Sequence, residues 1–353
     1  MKIIYWTGCL NFVAIFFTLG LQAENLSDSV FELKKHEYWS IQIENDILAN
    51  SGDHYYTHGT QVSRMVADVP PPWLRNLASI FPSFDAGDLI SGSNYTVGQK
   101  IFTADNTQAI PVQNNDRPYA GYLYFSASLL SDVSSENAID AGNLLEFTLG
   151  LVGPSALAEQ IQSGIHDLFG SDRVSGWDSQ LSDELALGVS YTRFWQKILY
   201  LSGSLKYAVV PHVNLTLGNV YTYAASGAML RLGTQLENDL APPNIRPGFP
   251  GLSLFRPSKQ YNWYVFAGME ARWIGRNIFL DGNTVRNSYS VDKKSMVADF
   301  QFGVVFQMGN VRYSLSNVLR TKEFEQQNGN MSFGAVNVSF LLYKSSANAS
   351  LKV

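Results

Sequence analysis

Along residues 296–306 the apolar side chains Met296, Ala298, Phe300, Phe302, Val304 and Phe306 occupy every second position, with Asp299, Gln301 and Gly303 among the residues between them. Successive side chains of a strand point to opposite faces, so this segment presents one apolar and one polar surface. Leu145, Phe147, Leu149 and Leu151 alternate with Glu146, Thr148 and Gly150, and Val336, Val338, Phe340 and Leu342 alternate with Asn337 and Ser339. The pattern predicts strands over 38–46, 55–66, 93–103, 120–132, 143–151, 184–197, 199–211, 220–232, 261–275, 295–308, 311–321 and 331–343. That makes about twelve, an even count of the kind bacterial membrane barrels carry. A soluble sandwich with its polar faces in water would show the same alternation, so the pattern alone leaves both architectures open.

One segment keeps a different period. Between Ser155 and Phe169, Leu157, Ile161, Ile165 and Leu168 are spaced by four, four and three, with Gly153 and Pro154 before and Gly170 after. This predicts a short helix of about four turns within a loop. The stretches 67–92 and 233–260 are long for connections on the periplasmic side, where turns are usually short. They imply ordered plugs or helices, or a strand count wrong by two. A polar tail follows Tyr343.

Hydrophobic residues make up 46% of the chain, yet the mean hydropathy is −0.05, which requires apolar and polar residues to be interleaved. Residues 1–23 combine Lys2, an apolar run from Cys9 to Leu19 and a terminal Ala23, the form of a cleaved signal peptide. As a membrane anchor the run would be short of the ~20 residues a span needs, and no basic stop-transfer flank follows. Cys9 is the one cysteine and leaves with the signal, so no intrachain disulfide forms. Residues 24–353 then read as a single domain. They contain no long uncharged run, so insertion in a membrane requires a closed barrel. The pattern fits an all-β transmembrane antiparallel β-barrel of about 12 strands in the outer membrane of a Gram-negative bacterium, or, without a membrane, a periplasmic sandwich or barrel. Tyr38, Trp39, Tyr119, Tyr122, Trp195, Trp263 and Trp273 lie near strand ends as candidates for interfacial girdles. The net charge of −5 becomes −6 without Lys2, which argues against a nucleic-acid partner.

Counting strands upward from a periplasmic start places 47–54, 104–119 and 152–183 on the extracellular side, where polar groups from separate parts of the chain converge. His166 follows Gln162 by four residues, so both share one helix face beside the apolar stripe, and the amide would orient the imidazole for general-base work. An exposed histidine on a surface helix is the plainer alternative, and His36, His54, His58 and His212 compete. Asn45 and Asp46 end a strand and supply oxygens suited to a hard cation. Adjacent strand residues face opposite ways, so both serve one site only where the strand bends. Otherwise they are a polar strand end entering a turn. Thr57 adds a hydroxyl, or is an ordinary strand threonine. The chain has no nucleophile elbow, phosphate loop or paired-histidine zinc motif, while a serine triad defined by geometry stays open.

The runs IENDILANSGDHYYTHGTQVS, GQKIFTADN with DRPYAGYLY, and GLVGPSALAEQIQSGIH followed by GWDSQLSDE together resemble the lipid A 3'-O-deacylase family of outer-membrane enzymes, over nearly the whole mature chain and in order. The resemblance implies a twelve-stranded barrel that removes the 3'-linked acyloxyacyl group of lipid A with Ca2+ and a histidine. It maps Asn45 and Asp46 to the polar pair ending the first strand, Thr57 to the threonine of the tyrosine-threonine step, and His166 to the histidine of the loop helix, with Gln162 and Arg117 in supporting motifs. The expected partners are lipopolysaccharide and outer-membrane lipids, with the protein a monomer. An outer-membrane phospholipase A acting through a serine, and a non-enzymatic pore, are the alternatives. The polar tail departs from the usual outer-membrane ending.

Overall fold

A computed structural model describes residues 36–49, 55–81, 84, 90–105, 115–133, 140–169, 174–239 and 254–343. The signal-peptide reading of residues 1–23, Cys9, His54 and the tail beyond Tyr343 fall outside the described residues. Twelve strands close into one antiparallel barrel: β1 (His36–Asn45), β2 (Tyr56–Ala67), β3 (Ile90–Phe102), β4 (Ala120–Val133), β5 (Asp140–Val152), β6 (Glu184–Ser202), β7 (Leu205–Gly218), β8 (Tyr221–Thr234), β9 (Ser258–Asn277), β10 (Met296–Gly309), β11 (Val311–Arg320) and β12 (Met331–Tyr343). Each pairs with its sequence neighbours, and β1 closes on β12 with Ile41 opposite Val338. Among the described residues three α-helices interrupt the pattern: α1 (Pro72–Ala78), α2 (Ala158–Phe169) and α3 (Ile278–Asp281).

Burial runs opposite to that of a soluble protein. On β10, Phe300, Phe302 and Phe306 are about half exposed while Asp299, Gln301 and Gln307 between them are buried. Polar residues therefore line the inside and apolar ones the outside, which is stable only where the outside is hydrocarbon. The soluble alternative is excluded on this ground. The predicted break at residue 198 is displaced. β6 continues through Tyr200 and Leu201 to Ser202, and the turn falls at Gly203, whose φ of 55° suits glycine. Of the girdle candidates, Trp263 and Trp273 are exposed on the outer face, whereas Tyr38 and Tyr122 join lumenal clusters and Tyr119 is buried against Trp177.

The lumen is filled. At the periplasmic end the β8–β9 connection turns inward: Phe255 meets Tyr38 edge-on at 5.3 Å, and Asp239 pairs with Arg312 at 2.8 Å. Of the segment 233–260, the described residues Leu236, Leu254 and Phe255 pack into the lumenal cluster, in keeping with an ordered plug. At the opposite end α3 caps the barrel, with Phe279 stacked on Phe102 at 4.1 Å. Between them runs a ladder of buried polar and charged side chains. Arg117 pairs with Glu323 (3.3 Å), Glu323 with Arg320 (3.5 Å), Arg320 with Asp299 (2.8 Å), Asp299 with Arg272, Arg272 with Glu270 (3.5 Å), and Glu270 with His212 (3.1 Å).

Candidate active site

A bulge re-aims one side chain at the outer end of β2. Odd-numbered β2 residues such as Gln61 and Ser63 are buried inside, yet Tyr56 also points inward, to Glu44, because the register slips between Tyr56 and His58. The extra residue is Thr57, which thereby joins the outward set; its hydroxyl meets that of Thr103 at 2.7 Å. Asn45, the last residue of β1 and on its outward face, donates its amide to the Thr57 carbonyl at 2.9 Å. The strand ends there, and Asp46, in a bend, is fully buried. The required departure from strand geometry between Asn45 and Asp46 is thus present. Tyr55 sits in the left-handed region at φ 67°, a strained setting for a non-glycine residue. Its carbonyl accepts from the Thr103 amide at 3.2 Å and its hydroxyl from the Asn328 amide at 2.8 Å. Burial pushes its phenol up to about 12, so it stays neutral.

Helix α2 lies on the outer wall. Gln99 and Ile101 are on the same face of β3 as the exposed Val97. The Gln99 amide donates to the Ala156 carbonyl at 2.6 Å, and Ile101 and Tyr119 cluster with Ala158. The close approach depends on Gly121, where a Cβ would come within 2.6 Å of the Ala158 Cβ. Gly153, at φ 105°, turns the chain out of β5, and Asp183 fastens the following turn by accepting from the Ser155 amide and hydroxyl, both at 2.8 Å. The predicted four-turn helix is shorter than expected: Leu157 adopts φ 58°, separating a 3-10 turn at 154–156 from α2.

Exposure along this segment runs opposite to that of a helix packed on a soluble protein. Leu157 and Ile161 of the apolar stripe are 51% and 41% exposed, while Gln162 and His166 are 3% and 7% exposed. A helix in water would bury the first pair; one against a barrel wall and facing hydrocarbon buries the second. His166 is accordingly no surface histidine. Gln162 accepts from the Trp177 indole nitrogen at 3.0 Å. An indole N–H can only donate, so the contact fixes the amide oxygen on the Trp177 side. The Gln162 Nε2 is left buried without a hydrogen-bond partner in the structure, a donor held ready at a cost of about 1–3 kcal/mol. Through this bond the Gln162 amide anchors the helix to the returning loop.

Asn45, Thr57, Gln162 and His166 therefore belong to the outer face and to the helix side turned toward it. Thr103 links the two parts: it bonds Thr57 and lies between Ile101 and the Ala104 that packs in the cluster with Ala158 and Trp177. Arg117 is not among them. It is fully buried on the lumenal side over the Phe102 ring at 4.8 Å. His58 faces out and bonds Thr60 at 2.6 Å, and His212 is lumenal. Thr103 and Trp177 lay within the recognisable runs GQKIFTADN and GWDSQLSDE, but nothing in local spacing marked them. Among the described residues no three His, Cys, Asp or Glu side chains gather as a metal cluster. Asp46 together with the neutral oxygens of Asn45 and Thr57 is an all-oxygen donor set, the chemistry a hard cation takes, and the complete burial of the Asp46 carboxylate fits a counter-charge.

A model of the family described as "Outer membrane protein LpxR" matches residues 10–342. No curated protein matches. Among solved structures, LpxR from Salmonella typhimurium is similar at a TM-score of 0.70 and 20% identity, covering 86% of this chain and 99% of that one. The β-domain of the Bordetella autotransporter BrkA reaches a TM-score of 0.46 at 8% identity, covering 87% and 99% of the two chains. The first establishes a shared barrel fold, and the family match extends over nearly the whole chain. The protein belongs to the LpxR family of outer-membrane proteins.

Proposed function

We propose that the protein is a lipid A 3'-O-deacylase, a Ca2+-dependent carboxylic ester hydrolase whose site lies between α2 and the outer wall of the barrel at its extracellular rim. The observation that carries this reading is the reversed helix, which buries Gln162 and His166 against the wall and turns Leu157 and Ile161 outward. Polar catalytic groups are thereby held at the level of lipid rather than in the lumen. Family membership supplies the reaction class.

His166 takes a proton from water as the oxygen attacks the carbonyl carbon of the 3'-linked ester. It returns that proton to the departing 3'-oxygen, giving a 3'-hydroxyl and a free acyloxyacyl acid. The unpaired Gln162 Nε2, one helical turn from His166, donates to the carbonyl oxygen as negative charge develops there. Asn45 and Asp46, with Thr57, would hold the cation, which when bound would supply positive charge worth several kcal/mol to the oxyanion.

Detergent-solubilised protein mixed with lipid A tests the reading. Loss of the 3'-acyloxyacyl mass is expected with calcium, abolished by a chelator and by His166→Ala, and restored by calcium to the wild type alone. Turnover that survives chelation, or that a covalent serine-directed inhibitor stops, overturns it in favour of a serine phospholipase.

A further inference from the structure

Across the outer wall at the level of Asn45, the strand registers place five outward positions in one row: Gly334 on β12, Asn45 on β1, His58 on β2, Ile101 on β3 and Gly121 on β4. Both ends of this row are covered. At Gly334 a Cβ would come within 2.6 Å of the Leu48 Cβ, so the 3-10 turn Ile47–Ala49 rests there. At Gly121 a Cβ would meet the Ala158 Cβ at 2.6 Å, and Ile101 is fully buried in the cluster that holds Ala158. Asn45 and His58, both only partly buried, are the floor left between the turn and α2.

His58 owes its place there to the bulge. The register slip between Tyr56 and His58 sets Thr57 and His58 side by side on the outward face. His58 is also the direct cross-strand partner of Asn45, which brings their Cβ atoms to about 5 Å. Its Nε2 lies 2.6 Å from the Thr60 hydroxyl, and among the described residues its Nδ1 has no hydrogen-bond partner. A ring nitrogen on the outside of a membrane barrel costs free energy unless a polar group meets it, and an ionisable side chain kept at such a place points to a polar ligand.

We propose that His58 is a specificity-determining residue, whose Nδ1 donates to the ester that joins the second acyl chain to the first in a bound acyloxyacyl group; the inference rests on the deacylase reading. The direction of β2 decides which part of the substrate His58 meets. With the termini on the periplasmic side, β2 descends from the rim, so His58 and then Thr60 follow Thr57 toward the membrane. That is the side on which the acyl chain leaves the scissile carbonyl, while the sugar stays above. The branch ester, a few bonds along, is the polar group on a chain that is otherwise hydrocarbon. An ester accepts and does not donate, so the contact uses the tautomer in which the Thr60 hydroxyl donates to Nε2 and Nδ1 carries the proton. Thr60 thereby holds the ring and sets its tautomer.

The test is kcat/KM for two esters of glucosamine at the 3-oxygen, equal in chain length and branched near the carbonyl either by an acetoxy group or by an alkyl group of the same size. Detergent-solubilised wild type, His58→Phe and Thr60→Val are compared, with barrel assembly confirmed by heat-modifiable migration. The wild type is expected to favour the acetoxy ester by roughly 5- to 100-fold, the worth of one buried hydrogen bond. His58→Phe is expected to remove that preference by slowing the acetoxy ester alone. Thr60→Val, which frees the other ring nitrogen, is expected to reduce the preference and carries the test if His58→Phe does not assemble. A wild type that treats the two esters alike, or assembled variants that keep the preference or slow both esters equally, overturn the role of His58 and leave the deacylase reading standing. An assembled wild type that cleaves neither ester and leaves lipid A intact overturns both.

Discussion

The Trp177 indole nitrogen and the Gln162 amide oxygen, fifteen residues apart, are 3.0 Å apart in space. The bond joins helix α2 to the loop that returns to β6, and it decides which end of the amide faces the proposed site. Trp177→Phe keeps the ring packing on Tyr119 while deleting the donor. The expected result is a loss of roughly 5- to 100-fold in kcat, the cost of one unmatched buried hydrogen bond, with KM little changed. A steady-state comparison of released acid checks it.

Gly121 tests the docking of the helix. A side chain there collides with Ala158, and both backbones are held, Gly153 donating to the Gly121 carbonyl at 3.0 Å. Gly121→Val is expected to lift α2 from the wall and reduce deacylation at least ~100-fold, since displacement of about 1 Å at a catalytic group costs that much. Heat-modifiable migration should remain, because β4 keeps both its strand partners.

The lumenal ladder should act on stability alone. Asp299 is fully buried between Arg272 and Arg320, and Asp299→Asn leaves two guanidiniums facing a neutral partner. Loss of a buried pair of this kind costs about 3–5 kcal/mol. A lower urea midpoint, with unchanged activity per folded molecule, is the expected pattern.

Asp46 brings the formal negative charge of the proposed cation site. Asp46→Asn is isosteric and keeps an oxygen, but removing the charge should raise the calcium concentration for half-maximal activity by about tenfold or more. Calcium titration of the variant beside the wild type reads this directly.

Much of the fold was legible because alternation is a local property. Phe300 and Phe302 announced an apolar face, and all twelve strands fall near their predicted places. What was not legible depended on partners. Thr57 faces outward because of a register slip against β3, and no pattern within β2 contains that information. The helix was recognisable, but which of its faces is buried depends on whether water or hydrocarbon lies outside, and the spacing of Leu157 and Ile161 does not carry that information. Arg117 stood in a motif shared with Tyr119, yet it points to the lumen and the tyrosine to the outer cluster. The turn at Gly203 was missed because the apolar run 198–201 resembles the beginning of a strand.

The central claim is that His166, buried between α2 and the barrel wall, removes the 3' acyloxyacyl group of lipid A. Mass spectrometry of lipid A from outer membranes carrying the wild type or His166→Ala tests it most directly. Membranes with the wild type are expected to hold a species lacking the 3' acyloxyacyl mass and those with the variant intact lipid A; identical lipid A from both, with each barrel assembled, would refute the role of His166.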